Sequence, residues 1–158
     1  MANRIRFVVE VAQAVADAIG GGNVGIRLSP YGMASGMTPY PEVDETYLAL
    51  VKALADAGLV YVHVANHIAM GNPAIPADFL KALHAAWPRT FFIGGSYDLA
   101  SGQAAIDAGE TDLVGMGRAF IANPDLVSRL KTGTALAAPN FDLFYTPGAL
   151  GYSDYAAA

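Results

Sequence analysis

The sequence contains no cysteine. Disulfides, thiolate nucleophiles, iron–sulfur clusters and Cys-ligated zinc are therefore excluded together. Charge is scarce as well. Asp, Glu, Lys and Arg make up 15% of the residues, against roughly 25% in an ordinary soluble domain. Cations are the scarcer sign, with nine Lys and Arg against fourteen Asp and Glu and a net charge of −5. That balance argues against a nucleic-acid partner, because phosphate-backbone binding needs a basic surface. Any anionic ligand must be met by local groups rather than by the overall field. Long apolar runs are missing too: Gly, Pro or a charge interrupts every stretch before the ~18 residues of a membrane span. Met1-Ala2-Asn3-Arg4 passes straight into a helical pattern, without the basic region, apolar block and cleavage site of a secretory signal. The expectation is a cytoplasmic protein with no membrane partner.

What the chain does have is apolar material. Hydrophobic residues make up 54% of 158 positions, which excludes intrinsic disorder and suits one domain or part of a larger one. Asn3 is expected to cap a helix with an apolar stripe at Ile5, Val8, Val9, Ala12, Val15, Ala16 and Ile19, ended by Gly20 to Gly22. A buried strand is predicted at 24–29. A loop with Pro30, Gly32, Gly36, Pro39 and Pro41 then leads to a helix near 44–57, whose stripe is Tyr47, Leu48, Val51, Leu54 and Ala55. The alternation continues with a strand at 60–65 and a helix opened by Pro76, with Phe79, Leu80, Leu83 and Trp87 inward. A strand at 91–94 follows, then a helix from an Asp98 cap to Ala108. A strand at 112–116 and a helix from Asn123-Pro124 to Leu130, stopped by Gly133, complete the series.

Strand runs that are apolar on both faces, separated by amphipathic helices, imply a parallel sheet covered by helices. Four β/α units are half of a (β/α)₈ barrel, which takes roughly 250 residues in full. An open four-stranded parallel sheet is the other physical option. The division expected is a half-barrel at residues 1–138 and an aromatic segment at 139–158 packed on it. The segment carries Phe141, Phe144, Tyr145, Tyr152 and Tyr155, and its closing Ala156-Ala157-Ala158 reads as a remnant of cloning.

Three groups could carry chemistry. Gly94-Gly95-Ser96 follows a strand directly; it is either a tight turn or a place where missing Cβ atoms let backbone N–H groups approach a phosphate. Gly115-Met116-Gly117-Arg118 also follows a strand, and its guanidinium opens a short helix. Both lie at the last two strands of a β/α series, where barrel enzymes often hold a phosphate. Arg27 sits within a strand. It is either half of a structural ion pair or a cation aimed at an electron-rich ligand. His63 and His67 straddle a strand and its loop without a third ligand, so no metal site is expected. Ser29 and Ser96 have no evident base, so no Ser-His-Asp triad is expected. No Gly-x-Gly-x-x-Gly follows a strand, so a dinucleotide-binding Rossmann site is not expected either.

The stretches 3–7 (Asn-Arg-Ile-Arg-Phe), 25–30 (Gly-Ile-Arg-Leu-Ser-Pro), Gly94-Gly95, 115–126 (Gly-Met-Gly-Arg-Ala-Phe-Ile-Ala-Asn-Pro-Asp-Leu), Phe144-Tyr145 and 151–155 (Gly-Tyr-Ser-Asp-Tyr) occur in a consistent order. Together they resemble the C-terminal half of the Old Yellow Enzyme family of FMN-dependent ene-reductases, nearly end to end. The resemblance implies strands five to eight of a barrel. It implies that Arg27 contacts the electron-rich edge of the isoalloxazine, that Gly94, Gly95, Ser96, Gly117 and Arg118 cradle the FMN phosphate, and that Tyr145 lies near the flavin. A cation there favours the anionic reduced flavin. NAD(P)H would be the electron donor of a complete barrel and an activated alkene its substrate.

The same resemblance shows what this chain does not carry. The family's loop over the flavin ring, its glutamine, its His/Asn or His/His pair and its tyrosine proton donor all belong to the N-terminal half. The Asn-Arg-Ile-Arg-Phe motif, mid-chain in the family, here follows Met1-Ala2. The chain therefore reads as a cut, split or rearranged half-barrel. No catalytic residue is expected within it, and its expected partner is the missing half or a second copy of itself. The competing expectation is a non-catalytic scaffold that folds by self-association, with or without flavin.

Overall fold

The computed structural model describes residues 1–33, 36–38 and 40–157; Pro39 and Ala158, both read from the sequence above, lie outside them. The element order is α1 (Ala2–Ile19), β1 (Gly25–Leu28), α2 (Val43–Asp56), β2 (Tyr61–Ala65), α3 (Ala77–Ala86), β3 (Thr90–Gly94), α4 (Leu99–Asp107), β4 (Leu113–Gly115), α5 (Arg118–Ala122) and α6 (Leu126–Thr132). The strands form one parallel sheet in the order β1-β2-β3-β4. Two compact units divide the chain, residues 1–115 and 116–158.

In the first unit the side chains alternate between two unlike faces, as strand geometry requires. Val62, Val64, Phe91 and Ile93 point one way and are fully buried. Leu50, Val51, Leu54, Phe79 and Leu83 of α2 and α3 close over them. The opposite face carries Arg27, Tyr61, His63, Phe92 and Leu113. It is not covered in the same way: Leu113 is 53% exposed. Sequential strand order with one helix-covered face and one bare face is a segment of barrel wall. A doubly wound open sheet would carry helices on both faces.

Several local expectations need correction. Asn3 lies inside α1, whose N-cap is Met1 with no side-chain bond. Only Ala12 and Ala16 of α1 are buried, with Ile5, Val8 and Val9 packed beside them. Val15 and Ile19 are exposed, because the stripe predicted for one face is split between two. Pro76 is the N-cap of α3 rather than its first residue. Leu50 of α2, absent from the predicted stripe, is in the core. Three strands are shorter than predicted, the fourth being only Leu113–Gly115, whereas the third starts one residue earlier, at Thr90. Asp98 does cap α4. Its carboxylate accepts from Ser101 N at 2.8 Å, while Asp98 N donates to Ser101 Oγ at 3.0 Å, a reciprocal capping box.

Asn123 does not open the last helix. It closes α5, and α6 begins at Leu126. The reason is that its buried carboxamide is engaged elsewhere. Nδ2 donates to the carbonyls of Ala119 and Ala137, and Oδ1 accepts from Ala137 N at 2.8 Å. This side chain ties the segment after α6 back to α5, with Arg129 donating to Asp125 and to the Ala135 carbonyl, both at 2.8 Å. Gly133 ends α6 at φ 71°, a left-handed cap that favours glycine.

Candidate functional site

The carboxyl ends of the strands are where β/α folds place ligands. On the first unit's bare face, parallel register sets Arg27 of β1 beside His63 of β2, and His63 beside Phe92 of β3. Arg27 is exposed on this face. Among the described residues no carboxylate pairs with it, so the structural ion pair considered from sequence is absent there. The chain thus keeps one of its few cations on the bare face of its sheet.

His63 fills the space between Arg27 and the end of β3. Its ring stacks on Phe92 with centroids 4.2 Å apart and 17° between planes. Nε2 is enclosed against Gly94 and has no hydrogen-bond partner among the described residues. Desolvation lowers its pKa from the ordinary value, and the charges of Arg27 and His67 lower it further. The imidazole is therefore neutral at neutral pH.

The glycines of the candidate cradle divide by what holds them. A Cβ on Gly94 would fall far inside contact with the His63 ring, and one on Gly115 would touch Gly94 Cα at 3.4 Å. Packing accounts for Gly94 alone, since 3.4 Å is an ordinary van der Waals contact. Gly95 and Gly117 are like Gly115 in this: a Cβ on Gly95 would meet nothing closer than 3.4 Å, and one on Gly117 nothing within 4 Å. Neither has a positive φ. Their own chain does not need them to be glycine, which is the pattern of a backbone left open to a ligand. Ser96 and Arg118 are exposed next to them. The helix that Arg118 opens, α5, has only five residues, so its dipole adds little and the guanidinium is the main local charge.

Ser29 corrects another expectation. Read as lacking a base, its Oγ lies 3.2 Å from His67 Nε2. No acid contacts the other nitrogen of His67 among the described residues, so the pair is a bridge between two loops rather than a triad. Asn72 reinforces that bridge, its Oδ1 accepting from Met33 N at 2.6 Å. Sequence spacing could not reveal it, because the 38-residue separation closes only through β1–β2 pairing. Tyr31, also missed, has φ 63°, a left-handed conformation that is rare for a bulky side chain. It is anchored by donating to Asp44 at 2.6 Å and by an edge contact with Phe79.

Within the second unit, Phe120, Ile121, Pro124, Phe144, Tyr145 and Tyr152 line an open cavity of about 470 Å³. Tyr145 is 98% exposed, so its phenol is presented rather than packed.

Strand order, the bare interior face and the strand-end glycines define a segment of a β/α-barrel enzyme fold. The comparisons name the family. The model of the NADH:flavin oxidoreductase / NADH oxidase family matches residues 1–137, and the chain belongs to that family. It is 39% identical to 12-oxophytodienoate reductase 2 of Arabidopsis thaliana, over 97% of this chain and 41% of that protein. It is 38% identical to aldehyde reductase FrzD of Cladobotryum sp, over 97% of this chain and 42% of that one. Among solved structures, morphinone reductase superposes with a TM-score of 0.93 at 36% identity, covering 99% of this chain and 42% of that chain. The chain thus spans about two fifths of the length of the relatives it matches. No helix among the described residues is long and apolar enough to cross a membrane.

Proposed function

We propose that this chain is the cofactor-holding part of an NAD(P)H-dependent flavin oxidoreductase that reduces activated alkenes, and that it works only when completed by an N-terminal half-barrel. The observation that carries the reading is Arg27, a guanidinium on the uncovered sheet face that no carboxylate among the described residues pairs with. Arg27 would meet the electron-rich pyrimidine edge of FMN. Gly95, Ser96, Gly117 and Arg118 would hold its phosphate, with Gly94 at the entry to the cradle and Tyr145 near the ring. The open space at Gly117, and a Gly95 where a Cβ would meet only ordinary contacts, fit that assignment. Bound FMN would supply the hydride chemistry, taking electrons from a nicotinamide and passing them to the alkene. This chain's residues would bind and orient. Carbonyl polarisation and proton donation would come from the completing half.

Functionally the chain divides into residues 1–138, which hold the cofactor, and residues 139–158, an aromatic segment. The need for a completing half has its own support. Phe7, Val11, Val15 and Ile19 form an exposed stripe on α1. The first three border a groove of about 300 Å³ with Ile26 of the unpaired edge strand β1. A further strand pairing with β1, with its helix on this stripe, is the occupant the surface fits.

The test is an anaerobic assay with excess FMN, NADPH and 2-cyclohexenone, with and without the family's N-terminal half. FMN should bind, and efficient alkene reduction should appear only in the mixture. Turnover by the chain alone at the level of a whole barrel, abolished by Tyr145→Phe, would overturn the division of labour. A colourless homodimer that ignores the added half would favour the scaffold reading.

A further inference from the structure

The flavin contacts proposed above leave a gap between Arg27 on β1 and the Gly94-Gly95-Ser96 turn after β3, and β2 runs through that gap. The β2 residue on the same face, in register with Arg27, is His63. It belongs to no catalytic or metal arrangement described so far. Its ring is fixed on two sides, stacked on Phe92 and seated on Gly94.

Its tautomer follows from its surroundings. Nε2 is enclosed and has no partner among the described residues. An N–H locked away with nothing to donate to is the costlier of the two arrangements, whereas a bare ring nitrogen against a Cα–H is tolerated. The proton is thereby assigned to Nδ1. Nδ1 is not among the enclosed nitrogens and makes no hydrogen bond within the described residues. Burial, Arg27 and His67 keep the ring neutral. The result is an oriented neutral donor on the bare face, flanked by a cation on one side and the Gly94-Gly95 turn on the other.

We propose that His63 is a further cofactor-binding residue, whose Nδ1–H donates to a hydroxyl of the ribityl chain that links the flavin ring to its phosphate. A polyol suits this position. Its oxygens accept from a neutral N–H, and it must cross the space between the group holding the ring and the group holding the phosphate. The proposal rests on the flavin reading above.

Three ligands separate the parts of the cofactor: FMN, riboflavin and lumiflavin, which has the ring but neither ribityl chain nor phosphate. His63→Phe keeps a stacking ring and removes the donor. It should weaken FMN and riboflavin binding by roughly 2- to 12-fold, the equivalent of one net hydrogen bond, and leave lumiflavin binding unchanged. An equal loss with lumiflavin, or no loss with FMN, overturns the proposal while leaving the flavin reading intact. Absence of saturable FMN binding by the unsubstituted chain would overturn both. Should His63→Phe fail to fold, long-range ¹H–¹⁵N spectra of the unsubstituted chain decide. Nδ1 should carry the proton, and its signal should move with riboflavin and not with lumiflavin. A proton on Nε2, or equal movement with both ligands, overturns the proposal.

Discussion

Gly94→Ala tests the geometry of the bare face without requiring any ligand. The methyl group would collide with His63 Nε2, with Cε1 at 3.2 Å and Cδ2 at 3.6 Å. The imidazole cannot simply retreat. Phe92 lies in stacking contact with its ring at 4.2 Å, and a second aromatic, Tyr61, packs against Phe92 at 5.2 Å. Backbone and ring must both shift, which places the change with overpacking substitutions that cost about 1–3 kcal/mol. Gly94 has no positive φ, so backbone strain contributes nothing and the whole cost is steric. A partner substitution isolates it. In His63→Ala the ring is gone, and adding Gly94→Ala to that background should cost under about 0.5 kcal/mol, the level expected of non-interacting changes. Urea unfolding of the four proteins of the cycle, followed by far-ultraviolet circular dichroism, measures the coupling. An equal cost of Gly94→Ala with and without the His63 ring would show that Gly94 is required for some other reason, and would refute the packing argument.

Other outcomes follow from the remaining contacts. Arg118→Ala should weaken FMN binding by about 1.5–3 kcal/mol, the worth of a charge-assisted hydrogen bond, and riboflavin binding much less; equal losses in parallel titrations would misplace the phosphate. The native pKa of His63 is depressed, so the unfolded chain takes up its proton first. Its contribution is present above the unfolded value of about 6.5 and is lost as pH falls through the native value. Unfolding followed from pH 7 to 4 should therefore show a shallower acid loss in His63→Phe than in the parent, and parallel curves would contradict this. Tyr31, held by Asp44, has its pKa raised to about 12; an ultraviolet titration of the folded chain should show a late phenolate phase that shrinks in Tyr31→Phe.

The order of β and α elements was legible because it depends on signals carried by the local sequence. Apolar runs such as 91–94 and stops such as Gly20 and Gly133 are independent of partners, and the Asp98–Ser101 box spans only four residues. Failures occurred where an outcome was set from a distance. Val15 and Ile19 fit a single helical stripe, yet only the other five residues of that stripe pack against the core, and these two stand exposed. Asn123 looked like a helix cap because Asn before Pro usually is one; its carboxamide is instead taken by a carbonyl and an amide fourteen residues away.

The candidate site was legible in its residue types and not in their reasons. Gly-Gly at a strand end suggests a phosphate cradle, yet Gly94 is already demanded by the His63 ring. Glycine is informative about a ligand only after the chain's own packing has been subtracted, and that subtraction leaves Gly95, Gly115 and Gly117. Histidine runs the other way. By spacing alone His63 lacks the companions of a metal site, which bears only on charge and ligation. The fold gives it a different assignment, through two features no spacing rule contains: a neighbour small enough to enclose one nitrogen, and a sheet face left bare for the other. Gly94 and His63 are thus one structural unit. A sequence that replaces the glycine should lose the seated imidazole with it, whether or not it still binds a flavin.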